Sequence, residues 1–574
     1  MTRIFNDPAE FAEDQFAGFL DLYADRLRGV PGGAVALRAG EPQVAVVVGG
    51  GSGHYPAFAG LVGNGFATGA VVGNVFTSPS AAQVYSVAKA AHQGRGVILT
   101  FGNYAGDNMN FGIAAERLRK EGIDTRIVVV TDDVASAAEE DKRRGIAGDF
   151  SVFKVLGAAA AAGLDIDGVE RAGRAANAAT RTIGVAFSGC TMPGAERPLF
   201  TVPAGQLGLG LGIHGEPGIR DQDMPPAAEL AQLMVTSLLE AAPQGAGTRV
   251  APILNGLGTT KYEELFLLWG TVARLLREAG LEVVDAEVGE LVTSLDMGGV
   301  SLTLMWLDDE LETFWTADAY TPAFRKQRAP IAAAANYVQE AGTDVLAVRA
   351  IPEASPAAVV LAGTAIDALE SMAAILHANE VRLGEIDAVA GDGDHGRGMV
   401  KGIDAALAAA RRAYDGGAGA GFLLQSAGQG WAEHAGGTSG VLWGAALEAA
   451  GQSLTDGKAD YKDDDLVAAV QAFAAAIVDL GRAAVGDKTL VDSMLPFVGE
   501  LAGGVGRGRS FADAWRAASL VAEEKAEATA ALSPNLGRAR PLAEKSIGTP
   551  DAGATSFALL VRGLADLPGK ALAP

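Results

Sequence analysis

A single cysteine, Cys190, stands in a chain of 574 residues. That excludes intramolecular disulfides and any zinc or iron–sulfur site held by cysteines, and it fits a reducing cytoplasm. Positive charge is also scarce. Forty-five Lys and Arg face 69 Asp and Glu, giving a net charge of −24 and a pI near 4.7. A protein that binds nucleic acid electrostatically needs a basic surface to displace counterions from phosphates, so that class is disfavoured. The same sign argues against an anionic membrane as partner. Charged residues make up only 20% of the chain. The stretch 42–88 contains no Asp, Glu, Lys or Arg, although glycine, proline, serine and asparagine interrupt it too often for a spanning helix. It reads as buried strand, glycine loop and covered helix. The N-terminus, acidic early and without an apolar core, does not read as a secretory signal. A soluble, cytoplasmic protein is expected.

What is abundant is apolar residues (49%) and glycine (76 residues), at a length that accommodates two to four domains. Residues 1–335 alternate short apolar runs with helical patterns. VAVVV at 44–48 runs into GGGSGH; GVILTF at 96–101 runs into GNYAGDNMNFGIAAERLRK; RIVVVTDD follows at 126–133. Strand, glycine-rich loop, helix and strand in turn predict a parallel sheet covered by helices. The runs TRVAPILNGLG (248–258) and GVSLTLMWL (299–307) predict a second α/β unit. Ligands of open α/β sheets sit at the carboxyl ends of strands, so loops 49–54 and 102–107 are where chemistry is expected. The stretch from about 322 to 356 is richer in proline and polar residues and reads as a linker, drawn at 336–356. Residues 357–574 carry apolar positions at helical spacing throughout, which predicts an all-α second domain. DYKDDD at 460–465 resembles an epitope tag, but three aspartates opening a helix also suit its positive end.

Six histidines are present, three of them between glycines: His54 in GGGSGHYP, His214 in GLGLGIHGEPG and His395 in GDGDHGRG. Loops so poor in side chains do not bury a histidine by packing. The bland alternative is a turn histidine bonded to a carbonyl. His92, His377 and His434 lie in helical patterns and receive no role. GGGSGH fits neither dinucleotide nor Walker spacing, so it reads as a phosphate loop or, equally, as a cradle for a small polar ligand. Asp107 lies at a strand-to-helix junction, where it serves as a helix N-cap, as a general base, or as both. In IDAVAGDGDHG, Asp387, Asp392 and Asp394 follow D-x4-D-x-D among glycines. Carboxylates that close repel unless a hard cation joins them, which points to Mg²⁺ or Ca²⁺, and through Mg²⁺ to substrate phosphates. The bland reading is an exposed acidic loop. The glycine-punctuated segments around Thr438, Ser439, Gly486, Arg538 and Asp551 can surround a triphosphate or simply cap helices.

Taken together, GGGSGHYPAFAG, NYAGDNMNFG, RRGIAG, GIHGEPG, TSLDMGGVSLTL, GDGDHG, GGTSG, GDKTLVDSMLP and EKSIGTPDAGATS, in this order, resemble the single-chain, ATP-dependent dihydroxyacetone kinase family. The resemblance implies a ketose-binding α/β domain of two subdomains followed by a helical-barrel nucleotide domain. It implies a kinase that phosphorylates a terminal hydroxyl of a short ketose, with the ketone held covalently on Nε2 of His214, Asp107 as base and His54 beside it. Gly51, Ser52 and Gly53 then form the substrate cradle. Asp387, Asp392 and Asp394 match the carboxylates that hold two Mg²⁺ on ATP, and His395, Thr438, Ser439, Gly486, Arg538 and Asp551 match the nucleotide-contact segments. The resemblance further implies a homodimer. Departures from the family pattern concern substrate: Tyr55 and Phe58 stand beside the cradle, DFSVFK follows RRGIAG, and His395 follows GDGD. They suggest a tetrulose such as erythrulose at least as much as dihydroxyacetone, with the Tyr55 phenol reaching a fourth-carbon hydroxyl. The alternative function is a ketose-binding sensor or regulator of the same family without turnover. A flavin-nucleotide lyase side activity and a lipid in the helical domain are further properties that the resemblance leaves open.

Overall fold

The computed structural model describes residues 2–37, 41–327, 350–435, 437–535 and 543–565. The chain divides into two compact units, 1–339 and 340–574. Most of the linker drawn at 336–356 lies outside the described residues, as does Arg538.

The first unit opens with helix α1 (Phe11–Leu22) and a six-stranded sheet. Its strands are β1 (Leu27–Val30), β2 (Gly33–Ala36), β3 (Ala45–Ser52), β4 (Gly69–Val75), β5 (Val97–Gly102) and β6 (Thr125–Val130), in the order β1-β2-β4-β3-β5-β6. β4, β3, β5 and β6 are parallel, as their apolar runs predicted, and β1 and β2 form an antiparallel edge. The run VAVVV is continuous because both faces are covered. Val46 and Val48 pack with one core cluster and Ala45 and Val47 with another. Helices α2 (Ala81–Ala91) and α3 (Ala105–Lys120) cover one face; α4 (Gly148–Ala161) and α5 (Ile166–Ala179) cover the other. α2 starts sharply because Ser80 and Gln83 form a capping box.

The second sheet uses β7 (Thr180–Ser188), β8 (Gln206–Leu209), β9 (Arg220–Asp223), β10 (Arg249–Gly256), β11 (Glu282–Val283), β12 (Glu287–Gly289) and β13 (Gly298–Trp306), with α6 (Ala227–Glu240) and α7 (Tyr262–Glu278) packed on it. Its long central pairs, β10 with β13 and β13 with β7, are antiparallel. An unbroken apolar strand marks burial on two faces, not the direction of its neighbour. α8 (Asp309–Trp315) follows. The hairpin of β14 (Ala319–Tyr320) and β15 (Arg325–Lys326) then takes residues expected in the linker into the first unit.

The second unit is entirely helical among the described residues: α9 (Pro356–Ala388), α10 (His395–Asp415), α11 (Ala420–Ala435), α12 (Gly437–Leu454), α13 (Asp463–Gly481), α14 (Val491–Gly506), α15 (Phe511–Ala528), α16 (Ala543–Ser546) and α17 (Ala552–Gly563). Successive helices pack on each other from α9 to α15, and α17 contacts both α15 and α9, closing a barrel. Asp463, Asp464 and Asp465 occupy the first turn of α13, so DYKDDD is a helix start. α9 is long and apolar enough to cross a membrane by composition, yet here it packs against α10, α11 and α17. The barrel encloses an apolar cavity of about 280 Å³, walled by Trp443, Phe473, Phe497, Trp515 and Phe557 among others.

Candidate active site

In the first unit, loops from both sheets converge on a pair of histidines. His54 follows β3 and is 4% exposed; His214 lies between β8 and β9. Their Nε2 atoms are 3.0 Å apart. His54 Nδ1 lies 2.7 Å from the Thr293 carbonyl, and His214 Nδ1 lies 3.0 Å from Glu216 Oε1. Phe76 stacks on His54 and meets His214 edge-on, while Tyr104 meets the other side of His214 at 5.2 Å. Burial, reinforced by the charge of His214, pulls the pKa of His54 down to about 3. Burial alone would raise Glu216, but its hydrogen bond to His214 and the charge there hold it down to about 2.

The cradle residues bring the backbone in close. Gly53 has φ +101°, and a Cβ there would sit 2.8 Å from the Phe76 ring; a Cβ on Gly51 would lie 2.6 Å from the Thr77 nitrogen. Gly51 and Ser52 belong to β3 itself, so the strand runs further into the glycine motif than the sequence suggested. The Ser52 Oγ is buried without a hydrogen-bond partner.

Asp107 is in the first turn of α3, after β5, the parallel neighbour of β3. The N-cap is Tyr104, which corrects the capping reading of Asp107. The Asp107 side chain instead accepts a hydrogen bond from Ser78 Oγ at 2.9 Å. Burial raises its pKa, opposed by the hydrogen bonds from Ser78 and its own backbone N–H and by His214, so the carboxyl group is more basic than in water.

Phe58 stands beside the cradle, against Gly50 and the His54 ring, whereas the Tyr55 phenol is bonded to Tyr23. Tyr55 is 48% exposed, packs edge-on against Phe19 and bonds to Tyr23; burial and that neighbour push its phenol up to about 12. Phe58 is buried against Phe153 of DFSVFK, behind the His54 ring. Phe58 is core packing, while Tyr55 is half-exposed and its phenol is engaged by Tyr23.

In the second unit, Asp387 near the end of α9 and Asp392 and Asp394 in the turn to α10 bring carboxylate oxygens within 4.8 Å of one another. The Asp394 N–H donates to Asp387 Oδ2. An all-oxygen, hard donor set at this spacing fits Mg²⁺. A small pocket beside it joins Asp387, Ala390 and Gly391 to Lys488, Ser546, Thr549 and Asp551. Asp551 caps α17 by accepting from the Ala554 N–H, and burial raises its pKa to about 6. Gly486, at φ +104°, donates its N–H to Asp492, which shapes the loop ahead of Lys488. The Lys488 Nζ is anchored on the carbonyls of Ser546 and Leu532. His395 turns its ring to Ser556 of α17, and burial lowers its pKa. Thr438 and Ser439, in the first turn of α12, are not among the residues lining the pocket.

Sequence reasoning missed Glu216, Thr293, Ser78, Arg144 and Lys488. Glu216 was visible within GIHGEPG. Thr293 opens TSLDMGGVSLTL, but it is 239 positions from His54 and nothing in the sequence pairs the two.

The Dak1 domain matches residues 17–323 and the DAK2 domain residues 389–566. The chain is 57% identical over 575 residues to the D-erythrulose kinase of Mycolicibacterium smegmatis, covering 99% of this chain and 98% of that one. It is 52% identical to the L-erythrulose kinase of Pectobacterium atrosepticum over 98% and 95% of the two chains. The structure of the C. freundii dihydroxyacetone kinase in complex with AMP-PNP and Mg²⁺ superposes with a TM-score of 0.59 at 28% identity, covering 98% of this chain and 99% of that one.

Proposed function

The chain belongs to the dihydroxyacetone kinase family, and from that premise we propose that it is an ATP-dependent, cytoplasmic kinase phosphorylating a terminal hydroxyl of erythrulose. The observation that carries the reading is the His54–His214 pair, with Asp107 bonded to Ser78 after the strand that neighbours β3, in a chain whose relatives are named erythrulose kinases. His214 Nε2 holds the ketone carbon as a hemiaminal. This anchors a small hydroxyl-rich molecule that water would otherwise solvate equally well, and it rejects polyols without a carbonyl. Asp107, oriented by Ser78, accepts the proton of the hydroxyl that becomes phosphorylated. Gly51, Ser52 and Gly53 shape the cradle beside His54.

Asp387, Asp392 and Asp394 would hold two Mg²⁺, and Asp551, His395, Gly486, Thr438, Ser439 and Arg538 are the residues we assign to nucleotide contact. Bound there, Mg²⁺–ATP supplies the phosphoryl group and the charge neutralisation its transfer needs; positioning does most of the rest. The working enzyme is a homodimer. A sensor without turnover would be free to lose either the base or the metal carboxylates, and both are present on this chain.

ADP release measured across D-erythrulose, L-erythrulose, dihydroxyacetone and glycerol tests the substrate. One erythrulose enantiomer is expected to give the highest kcat/KM and glycerol none. A preference for dihydroxyacetone would overturn the tetrulose assignment, and turnover of glycerol would overturn the carbonyl anchor. Asp392→Ala or Asp394→Ala should weaken Mg²⁺-dependent nucleotide affinity about tenfold or more and leave ketose binding to the first unit intact. Calorimetry showing unchanged MgATP affinity would defeat the metal assignment.

A further inference from the structure

We infer that Glu216 is the positioning residue that locks His214 with its proton on Nδ1, so that Nε2 is the atom available to the ketose. The inference rests on the anchoring reading above. Its basis is an inventory of donors and acceptors. Both oxygens of Glu216 are engaged by His214: Oε2 accepts the backbone N–H at 3.0 Å, and Oε1 faces Nδ1 at 3.0 Å. A carboxylate only accepts, so Nδ1 carries hydrogen. The Thr293 carbonyl imposes the same on His54 Nδ1. Two neutral rings would therefore point bare lone pairs at each other across the 3.0 Å between their Nε2 atoms. One further proton must lie between them. His54 is buried and faces only a neutral carbonyl, whereas His214 faces a carboxylate, so that proton resides on His214, opposite Glu216.

Glu216 is itself held from behind. Arg144 Nη1 lies 3.8 Å from Oε2, and Arg144 is fixed by Asp133 Oδ2 and the Gly210 carbonyl. The chain of contacts Asp133–Arg144–Glu216–His214–His54–Thr293 draws on four connections: those after β3, β6, β8 and β12.

The arrangement lets the adduct form with no net proton uptake. The shared proton moves to His54 Nε2. The freed lone pair of His214 Nε2 forms the bond to the carbonyl carbon while the C=O π pair moves onto oxygen, and that oxygen takes the proton back from His54. The product ring carries hydrogen on Nδ1 and carbon on Nε2. It is an imidazolium with the same single positive charge as before, still facing Glu216.

Glu216→Gln tests the assignment because the amide cannot reproduce both contacts. Its oxygen must take the His214 backbone N–H, which turns its NH₂ toward Nδ1. Nδ1 becomes an acceptor and the ring keeps a single proton, on Nε2; passing it to His54 would leave an imidazolate, so the lone pair can no longer be freed. Ketose KM is expected to rise about 10- to 100-fold. Glu216→Ala, which leaves the ring free to choose its tautomer, should do less harm. In ¹⁵N-histidine-labelled full-length protein, the His214 signals should show a bare Nδ1 in Glu216→Gln and a protonated Nδ1 in the wild type. A merely structural role predicts the reverse ranking, with alanine at least as damaging as glutamine, and that result would overturn the assignment. Wild-type ketose KM in Glu216→Gln, beside a His214→Ala enzyme that has lost ketose affinity, would overturn the Glu216 assignment alone. Wild-type KM in both would overturn the anchoring reading and this one with it.

Discussion

Asp107→Asn is expected to lower kcat by about 10²–10⁴ while leaving the ketose bound and the fold intact. Asparagine retains a carbonyl oxygen that can accept the Ser78 hydroxyl, so the side chain keeps its place at the start of α3. What it would lose, on the proposed role, is a site for the proton of the attacking hydroxyl. The helix does not depend on Asp107 for its cap, since Tyr104 occupies that position, so the melting temperature should change little. The test pairs single-turnover phosphoryl transfer with ketose affinity measured by calorimetry. Near-wild-type turnover would remove Asp107 from the role of base. Coupled loss of affinity and fold would show its burial to be structural.

His214→Ala should cost ketose affinity and kcat/KM by a comparable or larger factor, on the order of 10²–10⁴, with MgATP affinity unchanged. A small, polyhydroxylated substrate offers little apolar surface to bury, so the proposed covalent bond to its carbonyl carbon would be what distinguishes the site from water. Removing the ring also strips His54 of its Nε2 partner and opens the wall shared with Phe76 and Tyr104. Intact-protein mass spectrometry of the wild type with erythrulose should show a reversible mass increase equal to the whole ketose, absent from His214→Ala. Unchanged kinetics in the variant would defeat the anchor.

Burial and periodicity alone determined much of this molecule. Continuous apolar runs such as VAVVV announced strands covered on two faces, and apolar residues every three or four positions announced the helices after residue 356, because 2- and 3.6-residue repeats are properties of the local backbone. The aspartate triplet was legible for the same local reason: three carboxylates within eight positions of a turn cannot avoid one another. His54, Asp107 and His214 were each marked by unusual glycine neighbourhoods, but not their meeting. Only the tertiary structure decided that His54 faces His214 across 160 positions, that Thr293 and Glu216 meet the two rings, that Asp107 accepts the Ser78 hydroxyl, that Tyr55 turns to Phe19 and Tyr23, and that Phe58 packs between His54 and Phe153. Strand direction in the second sheet was likewise hidden, since a strand buried on both faces reads the same beside a parallel or an antiparallel neighbour. Hydrogen-bond partners between loops are chosen by where the sheets end in space. A sequence records the donors and acceptors of such a site, while the packing of two sheets decides which of them come within 3 Å.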